Sequence, residues 1–283
     1  MGGGLPACPT YAKGVSGGNI ANGSLIEASG LVESRKAPGV LWIHNDSGDS
    51  ARVFAAGKDG KDLGIYSFQG TNATDWEDIA IGPGPVNGET YIYIGDMGDN
   101  LMARANIRIY RVVEPMVDIN GGPKNVNLNG VESFTLVYPD GPHNAETLLV
   151  DPMTSDVYIV TKSANGVSPI FRAAAPLSSA GTITLEAAGS LTFGAPPLNG
   201  GPLTTGGDIS VQGNLIGIRT YPTAFVWRRL PGMTVADALQ GEPCPIPIEA
   251  ETQGEAFGFA VDGSGYFTTG EGSSQPLFFY AKQ

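Results

Sequence analysis

The chain has 283 residues, with 28 acidic against 16 basic side chains and a formal net charge of -12 at pH 7, which argues against nucleic-acid partners because phosphate binding needs a basic surface. Its 41 Gly and 21 Pro beside 41% hydrophobic residues favour many short strands joined by tight turns. No apolar run approaches the ~20 residues of a membrane-spanning helix, so no membrane partner is expected.

The sequence contains five copies of one unit, in which an acidic residue opens an alternating apolar strand and further short strands follow. The copies begin near residues 27, 77, 146, 208 and 255. We therefore predict an all-β, five-bladed β-propeller of four-stranded antiparallel blades that spans residues 1–283 as a single domain. A β-sandwich also explains short strands and glycine-rich turns, but it does not predict an acidic residue at one phase of every unit.

The first two copies match most closely. Copy one has predicted strands at 27–32, 40–46, 52–56 and 64–68, and copy two at 77–81, 90–96, 107–112 and 132–138. In both, 19 residues separate the opening acid from the acid that ends the second strand, Glu27 to Asp46 and Glu77 to Asp96. Similar loops follow, Asp46-Ser-Gly-Asp and Asp96-Met-Gly-Asp, and such a match is hard to obtain by chance.

The remaining copies are less regular. Their predicted strands are 146–151, 156–162, 169–172 and 182–185 in copy three, 208–212, 215–219, 224–228 and 246–249 in copy four, and 255–261, 266–271 and 276–280 in copy five. The fifth copy lacks a fourth strand. We predict that the N-terminal segment 11–20 supplies it and closes the ring, which leaves no open sheet edge.

The two cysteines, Cys8 and Cys244, form either one closing disulfide or two buried free thiols. The N-terminus has neither the charged region nor the apolar region of a signal peptide, and its Met-Gly-Gly-Gly opening resembles a trimmed start. The composition and the cysteine pair favour a secreted or periplasmic protein, and we expect a monomer.

Two rings of side chains are predicted at one mouth of the central channel, where the first strand of each blade begins and the turn after the second strand lies. The inner ring is Glu27, Glu77, Glu146, Asp208 and Glu255, and the outer ring is Asp46, Asp96, Lys162, Arg219 and Glu271. Five carboxylates around a narrow mouth would repel one another unless some are protonated or a hard cation neutralises them. Calcium is the predicted cofactor, held by the inner ring, because it takes six to eight oxygen ligands in flexible geometry.

Asp46, Asp96, Lys162, Arg219 and Glu271 are the candidate substrate-binding residues. The two basic residues are suited to hold an anionic group such as a phosphate or a sugar carboxylate. The alternatives are that the acids only form turns and that the basic residues pair with neighbouring carboxylates.

His143 and Tyr221 are the candidate catalytic residues, as an acid or base near the same mouth. The alternative for each is an ordinary polar residue with its hydrogen bonds satisfied. The chain has no nucleophile elbow, P-loop, Rossmann glycine fingerprint or HExxH motif, which disfavours the enzyme classes that depend on them.

The starts of the first strands, Glu27-Ala-Ser-Gly-Leu, Glu77-Asp-Ile-Ala, Ala145-Glu-Thr, Asp208-Ile-Ser and Gly254-Glu-Ala, resemble those of calcium-centred propeller hydrolases. These are the five-bladed calcium-dependent apyrases and the six-bladed gluconolactonase and phosphotriesterase group. The resemblance implies calcium in the channel and substrate on the same face. Two further segments, 74–80 and 93–100, resemble stretches of an uncharacterised secreted propeller family.

The sequence thus predicts a calcium-binding propeller that hydrolyses a small or polymeric anionic substrate, a small molecule or a carbohydrate. One alternative is a non-catalytic, lectin-like or scaffold propeller in which calcium only stabilises the fold. The other is a polysaccharide lyase, in which Arg219 neutralises a uronate and Tyr221 or His143 takes the proton.

Overall fold

The computed structural model describes residues 6–193 and 203–283 and confirms the five-bladed β-propeller. The described residues form these elements: β1 Val15–Asn19, β2 Ala28–Glu33, β3 Val40–Asn45, β4 Arg52–Gly57, β5 Asp62–Phe68, β6 Trp76–Pro83, β7 Thr90–Asp96, β8 Ile107–Val113, β9 Lys124–Leu128, β10 Glu132–Val137, β11 Ala145–Val150, β12 Val157–Thr161, β13 Val167–Ala173, β14 Thr182–Thr184, β15 Glu186–Thr192, β16 Thr204–Ile209, β17 Leu215–Thr220, β18 Ala224–Arg228, α1 Val235–Leu239, β19 Cys244–Ile246, β20 Gly254–Phe259, β21 Gly265–Gly270 and β22 Pro276–Ala281. None of the helices in the described residues has the length and apolar character needed to cross a bilayer.

Each blade is one sheet, and its first strand lies innermost. The innermost strands are β2, β6, β11, β16 and β20, and each lies against the innermost strand of the next blade around the ring. Neighbouring blades share an apolar core, and along β6 the residues alternate between two of these cores. Ile79 and Ile81 pack with blade one, whereas Ala80 packs with blade three. This alternation is the period of two expected for a strand buried on both faces.

The N-terminal strand closes the ring, as predicted. β1 pairs antiparallel with β22 at the outer edge of blade five, and Tyr11 bridges to Lys282. The cysteines form a disulfide between Cys8 and Cys244, with Cα atoms 5.6 Å apart. Because Cys244 lies in β19 of blade four, the N-terminal segment is attached to both of the last two blades.

Two blades differ from the predicted four-stranded antiparallel form. The chain between the third and fourth strands of blade two forms β9, which pairs parallel with β5 of blade one. In the same way β14, from blade three, pairs parallel with β10 of blade two. The prediction that 182–185 is the fourth strand of blade three is therefore wrong, since β15 occupies that place. A three-residue strand carries too little pattern to identify its neighbour.

The innermost strands leave one backbone edge facing the channel axis, and buried carboxylates satisfy part of it. Asp78 is 0% exposed and accepts hydrogen bonds from the backbone N–H groups of Ile79 at 2.8 Å, Leu148 at 2.8 Å and Gly207 at 3.2 Å. One side chain thus connects blades two, three and four. Burial raises the pKa of Asp78, and its three N–H donors oppose that shift.

Asp208 links neighbouring blades in the same way, one blade further around the ring. Its carboxylate accepts from the N–H groups of Ile209 at 2.8 Å and Phe259 at 2.9 Å, which joins blade four to blade five. Burial raises the pKa of Asp208 to about 6. The channel below the mouth is therefore filled by side chains that hold the blades together.

Replacing Asp78 by alanine should destabilise the protein more than replacing Asp208, which accepts hydrogen bonds from fewer backbone N–H groups. Three buried N–H groups would lose their acceptor, and each such loss costs about 1–3 kcal/mol. Asp208→Ala frees two donors and should cost less, and Asp78→Asn, which keeps one acceptor oxygen, should lie between wild type and Asp78→Ala. Urea unfolding of the three variants measures this order, and an Asp78→Ala protein as stable as wild type would contradict it.

Candidate functional site

Every innermost strand has a β-bulge one residue after its start, and the bulge directs a side chain to the channel mouth. The register shifts between Ala28 and Gly30, and at the corresponding place in each of the other four strands. The bulged residues are Ser29, Glu77, Glu146, Thr205 and Glu255. We call these five residues the inner ring, and bulges are a common means of re-aiming a side chain near a functional site.

A second ring follows from the same register. The residues paired with the starts of the innermost strands are Asn45, Asp96, Thr161, Thr220 and Gly270. The next residue in each blade forms what we call the outer ring, which is Asp46, Met97, Lys162, Tyr221 and Glu271.

The predicted inner ring is therefore correct at three positions, Glu77, Glu146 and Glu255. Glu27 lies two residues before the equivalent place and is exposed. Asp208 lies three residues after Thr205, deeper in the channel, where it binds backbone N–H groups. The prediction of one acidic residue at the same phase of all five blades is wrong, because Ser29 and Thr205 complete the ring. Their hydroxyls bond the backbone oxygens of Glu77 and of Gly254 in the next blade.

The predicted outer ring is also correct at three positions, Asp46, Lys162 and Glu271. Asp96 lies one residue before the outer-ring position of blade two, and its side chain is fully buried. It accepts from the N–H groups of Thr74 and Asp75, each at 3.2 Å, and pairs with Arg104 at 2.8 Å.

Asn45 in blade one has the same role as Asp96 in blade two, which is to accept hydrogen bonds from two backbone N–H groups. Its Oδ1 accepts from the N–H groups of Ile26 at 3.0 Å and Glu27 at 3.1 Å. The repeated spacing of 19 residues thus matched Asp46 with the wrong residue, because its true equivalent is Met97.

Arg219 does not reach the mouth. The side chain is 0% exposed, pairs with Glu251 at 2.7 Å and donates to the backbone oxygen of Ala256 at 3.1 Å. Arg219 therefore forms an internal ion pair, which was the alternative to binding a substrate. Tyr221, two residues later, stands at the mouth instead.

Lys162 is the basic centre of the mouth. Its Nζ donates to Glu146 Oε1 at 2.5 Å and to Tyr221 OH at 2.8 Å. Tyr221 OH in turn donates to Glu255 Oε1 at 3.1 Å. This chain of contacts joins side chains from blades three, four and five.

Six carboxylates surround this lysine, and we call them, with Lys162 and Tyr221, the acidic mouth. They are Asp46, Asp75, Glu77, Glu146, Glu255 and Glu271. Burial raises the pKa of Glu146 to about 7 although Lys162 opposes the shift. Burial, Glu146 and Glu271 raise the pKa of Glu255 to about 9, and burial with neighbouring carboxylates raises the pKa of Glu77 well above its ordinary value. The mouth is therefore costly to keep fully ionised without a cation.

Two groups of three carboxylates are close enough to bind a metal ion. In each group, one oxygen from every member lies within 4.8 Å of the others. The first group is Asp46, Glu255 and Glu271, and the second is Asp46, Asp75 and Glu77. Asp46 belongs to both. Sequence reasoning missed Asp75, whose only signal is its place directly before the strand that carries Glu77.

Glu255 supplies the clearest sign of a ligand that the mouth requires. The residue is 3% exposed, and its Oε2 is buried without a hydrogen-bond partner among the described residues. An orphaned buried carboxylate oxygen costs free energy, and a bound cation would remove that cost.

His143 lies beside the mouth rather than in it. Its Nε2 is 2.9 Å from Asp140 Oδ1, and its ring contacts Tyr138 and Phe171. It lines a cavity of about 440 Å³ whose wall also includes Lys162. A bound molecule that contacts Lys162 can therefore extend toward His143.

Comparison with known proteins identifies the fold alone. The sequence matches no protein-family model, and no curated protein is significantly similar to it. Among solved structures, the chain is similar to the PQQ-bound form of aldose sugar dehydrogenase from Streptomyces coelicolor, with a TM-score of 0.52, 11% sequence identity, and coverage of 99% of this chain and 100% of that chain. At that identity the likeness carries no activity from one chain to the other.

Replacing Arg219 by alanine should act on stability, because it leaves the Glu251 carboxylate buried without its partner. Removing one member of a buried ion pair costs about 3–5 kcal/mol. Lys13→Ala, at a pair whose lysine is 84% exposed, is the control and should change stability by less than about 1 kcal/mol. Denaturant unfolding compares the two, and equal small effects would show that Arg219 is not a structural residue.

Proposed function

We propose that the acidic mouth binds calcium between Asp46, Glu255 and Glu271, and that the protein is a metal-dependent hydrolase of a small or polymeric anionic substrate. The observation that supports this most directly is the buried, unpartnered Oε2 of Glu255 beside two further carboxylates. The residues fit a hard cation, because both groups of three offer carboxylate oxygens and neither contains a His or Cys.

Calcium suits this set of ligands better than zinc or magnesium. Zinc prefers nitrogen and sulfur ligands in a tetrahedron, and magnesium demands a near-ideal octahedron of oxygens. Glu255 and Glu271 come from blade five and Asp46 comes from blade one. Three ligands on two blades leave room for water and a substrate oxygen in a flexible coordination shell.

Lys162 is suited to orient an anionic group of the substrate. Its side chain is 15% exposed, and Glu146 and Tyr221 hold the ammonium group in place. Burial lowers the pKa of Lys162, but Glu146 and Tyr221 raise it by more, so the side chain stays charged. A fixed, partly desolvated ammonium attracts an anion more strongly than a mobile surface lysine does.

Tyr221 is suited to move the proton. When bound, a calcium ion held by Asp46, Glu255 and Glu271 would polarise the substrate and activate water for attack. As water adds to the substrate and the bond to the leaving oxygen breaks, the water must lose one proton and the leaving oxygen must gain one. Tyr221 OH gives its proton to the leaving oxygen and regains the one that the water loses, with Lys162 holding the hydroxyl in position.

The neighbour's cofactor is not carried over to this chain. The neighbour was solved in a PQQ-bound form, but at 11% sequence identity a ligand does not transfer from one chain to the other. The lyase alternative depended on Arg219 as the neutralising group, and that guanidinium is paired with Glu251. A scaffold role for calcium remains the second candidate, because an ion between blades one and five would also stabilise the ring. The Cys8–Cys244 disulfide supports a secreted or periplasmic location.

Calcium should raise the melting temperature of the wild-type protein by about 5 °C or more at a hundredfold excess over its dissociation constant. Glu255→Gln should reduce that rise, because it removes a ligand charge from the site without changing the size of the side chain. Glu242→Gln is the matched control, since Glu242 is exposed and lies in neither group of three. Thermal unfolding with calcium and with a chelator measures the shift, and an unchanged melting temperature in wild type would refute the calcium site.

Tyr221→Phe should lower kcat about a hundredfold or more, with little effect on calcium affinity, because it removes the proton donor but no ligand. The assay is turnover of a panel of nucleotides, lactones and uronate esters by the calcium-loaded protein. Tyr66→Phe, in the outer strand β5, is the control and should leave turnover unchanged. A large calcium-induced melting shift with no turnover of any compound would favour the scaffold role.

A further inference from the structure

We propose that the mouth holds a second divalent cation, between Asp46, Asp75 and Glu77, and that the two ions together bind an oxyanion of the substrate through two of its oxygens. This inference rests on the proposed function, because the second ion shares Asp46 with the first. It adds a separate site and a class of ligand.

Glu77 provides the first observation for the second site. The residue is 3% exposed, yet its carboxylate accepts no hydrogen bond from the described residues, and only its backbone oxygen does, from Ser29 Oγ. One of its carboxylate oxygens lies within 4.8 Å of oxygens of Asp46 and Asp75. A buried carboxylate directed at two others needs a cation to be stable in its ionised form.

Gly98 provides the second observation. A β-carbon at this position would overlap both Glu77 Oε1 and Asp75 Oδ2. The N–H groups of Met97 and Gly98 donate to the backbone oxygen of Asp75, at 3.1 and 3.2 Å, which fixes this loop over the two carboxylates. The absence of a side chain at Gly98 therefore lets two carboxylates converge at a point where any larger residue would displace them.

The charge of the mouth provides the third argument. Six carboxylates and one ammonium group carry five net negative charges when ionised. One divalent ion leaves three negative charges, which weaken the binding of an anionic substrate. Two divalent ions leave one net negative charge, and they provide two adjacent positive centres beside Lys162.

Asp46 places the two ions next to each other. Its carboxylate is a member of both groups, so each ion takes one of its oxygens or both ions share one. Paired ions bridged by a carboxylate clamp a substrate oxyanion from both sides. A phosphate and a carboxylate share this chemistry, since each offers two oxygens with a spread negative charge.

The first test counts ions. Calcium per chain is measured by elemental mass spectrometry after gel filtration in calcium buffer, for wild type and for five variants. We expect two ions in wild type and one in each of Glu255→Gln, Glu77→Gln and Gly98→Ala, of which the last leaves the charge unchanged. Glu242→Gln, at an exposed residue, and Gly122→Ala, at a glycine with open space around it, should keep two.

The outcomes separate this inference from the proposed function. One ion in wild type that Glu255→Gln removes and Glu77→Gln keeps would overturn the second site and leave the proposed function intact. Two ions in both wild type and Glu77→Gln would also overturn it. No ion in wild type would overturn both proposals.

The second test measures oxyanion binding by calorimetry, with inorganic phosphate and with galacturonate as probes on the calcium-loaded protein. We expect at least tenfold weaker binding of the preferred anion in Glu77→Gln. Loss of one negative charge should by itself strengthen anion binding, so weaker binding reports loss of the ion. Preference for phosphate indicates phosphate-bearing substrates and preference for galacturonate indicates uronates. Equal or tighter binding in Glu77→Gln, or no binding of either probe to wild type, would overturn the bridging role.

Discussion

The structure depends on how five innermost strands meet at one axis with their free backbone edges facing inward. An unpaired N–H group in a buried channel costs about as much as a lost hydrogen bond, and no further strand fits there to pair with it. Asp78 satisfies three of these N–H groups, because its carboxylate accepts hydrogen bonds from innermost strands of three blades. Asp208 extends the link to the fifth blade. The centre of the fold is therefore polar, although the cores between the blades are apolar.

The same innermost strands carry buried carboxylates of two kinds, and their hydrogen bonds distinguish them. Asp78 and Asp208 lie below the mouth and have backbone donors, so their charge is compensated by the fold. Glu77 and Glu255 lie at the mouth and face other carboxylates. Acidic side chains with backbone N–H donors stabilise the blades, and those without backbone donors indicate where a ligand belongs.

The number of blades, the ring closure by the N-terminal segment and six of the ten ring residues were predictable from the sequence. Glu77, Glu146, Glu255, Asp46, Lys162 and Glu271 lie where the repeat placed them, in rings defined by strand register. Asp96 was misplaced because it lies one residue before the true ring position, and a shift of one residue reverses the face of a strand. Arg219 lies two residues before the ring position, inside β17 rather than after its end. Their buried ion pairs with Arg104 and Glu251 give no signal in a strand's own pattern.

The sequence by itself determined the number of blades and their order, because alternation of apolar residues is a local property that each strand carries within itself. Only the tertiary structure decided which side chains face the channel. A bulge adds one residue to a strand relative to its partner, and the partner lies elsewhere in the chain. The positions of Asp75 and Gly98 against Glu77 depend on that offset. The sequence thus indicates which residues the mouth contains, but the pairing of strands decides where their side chains lie.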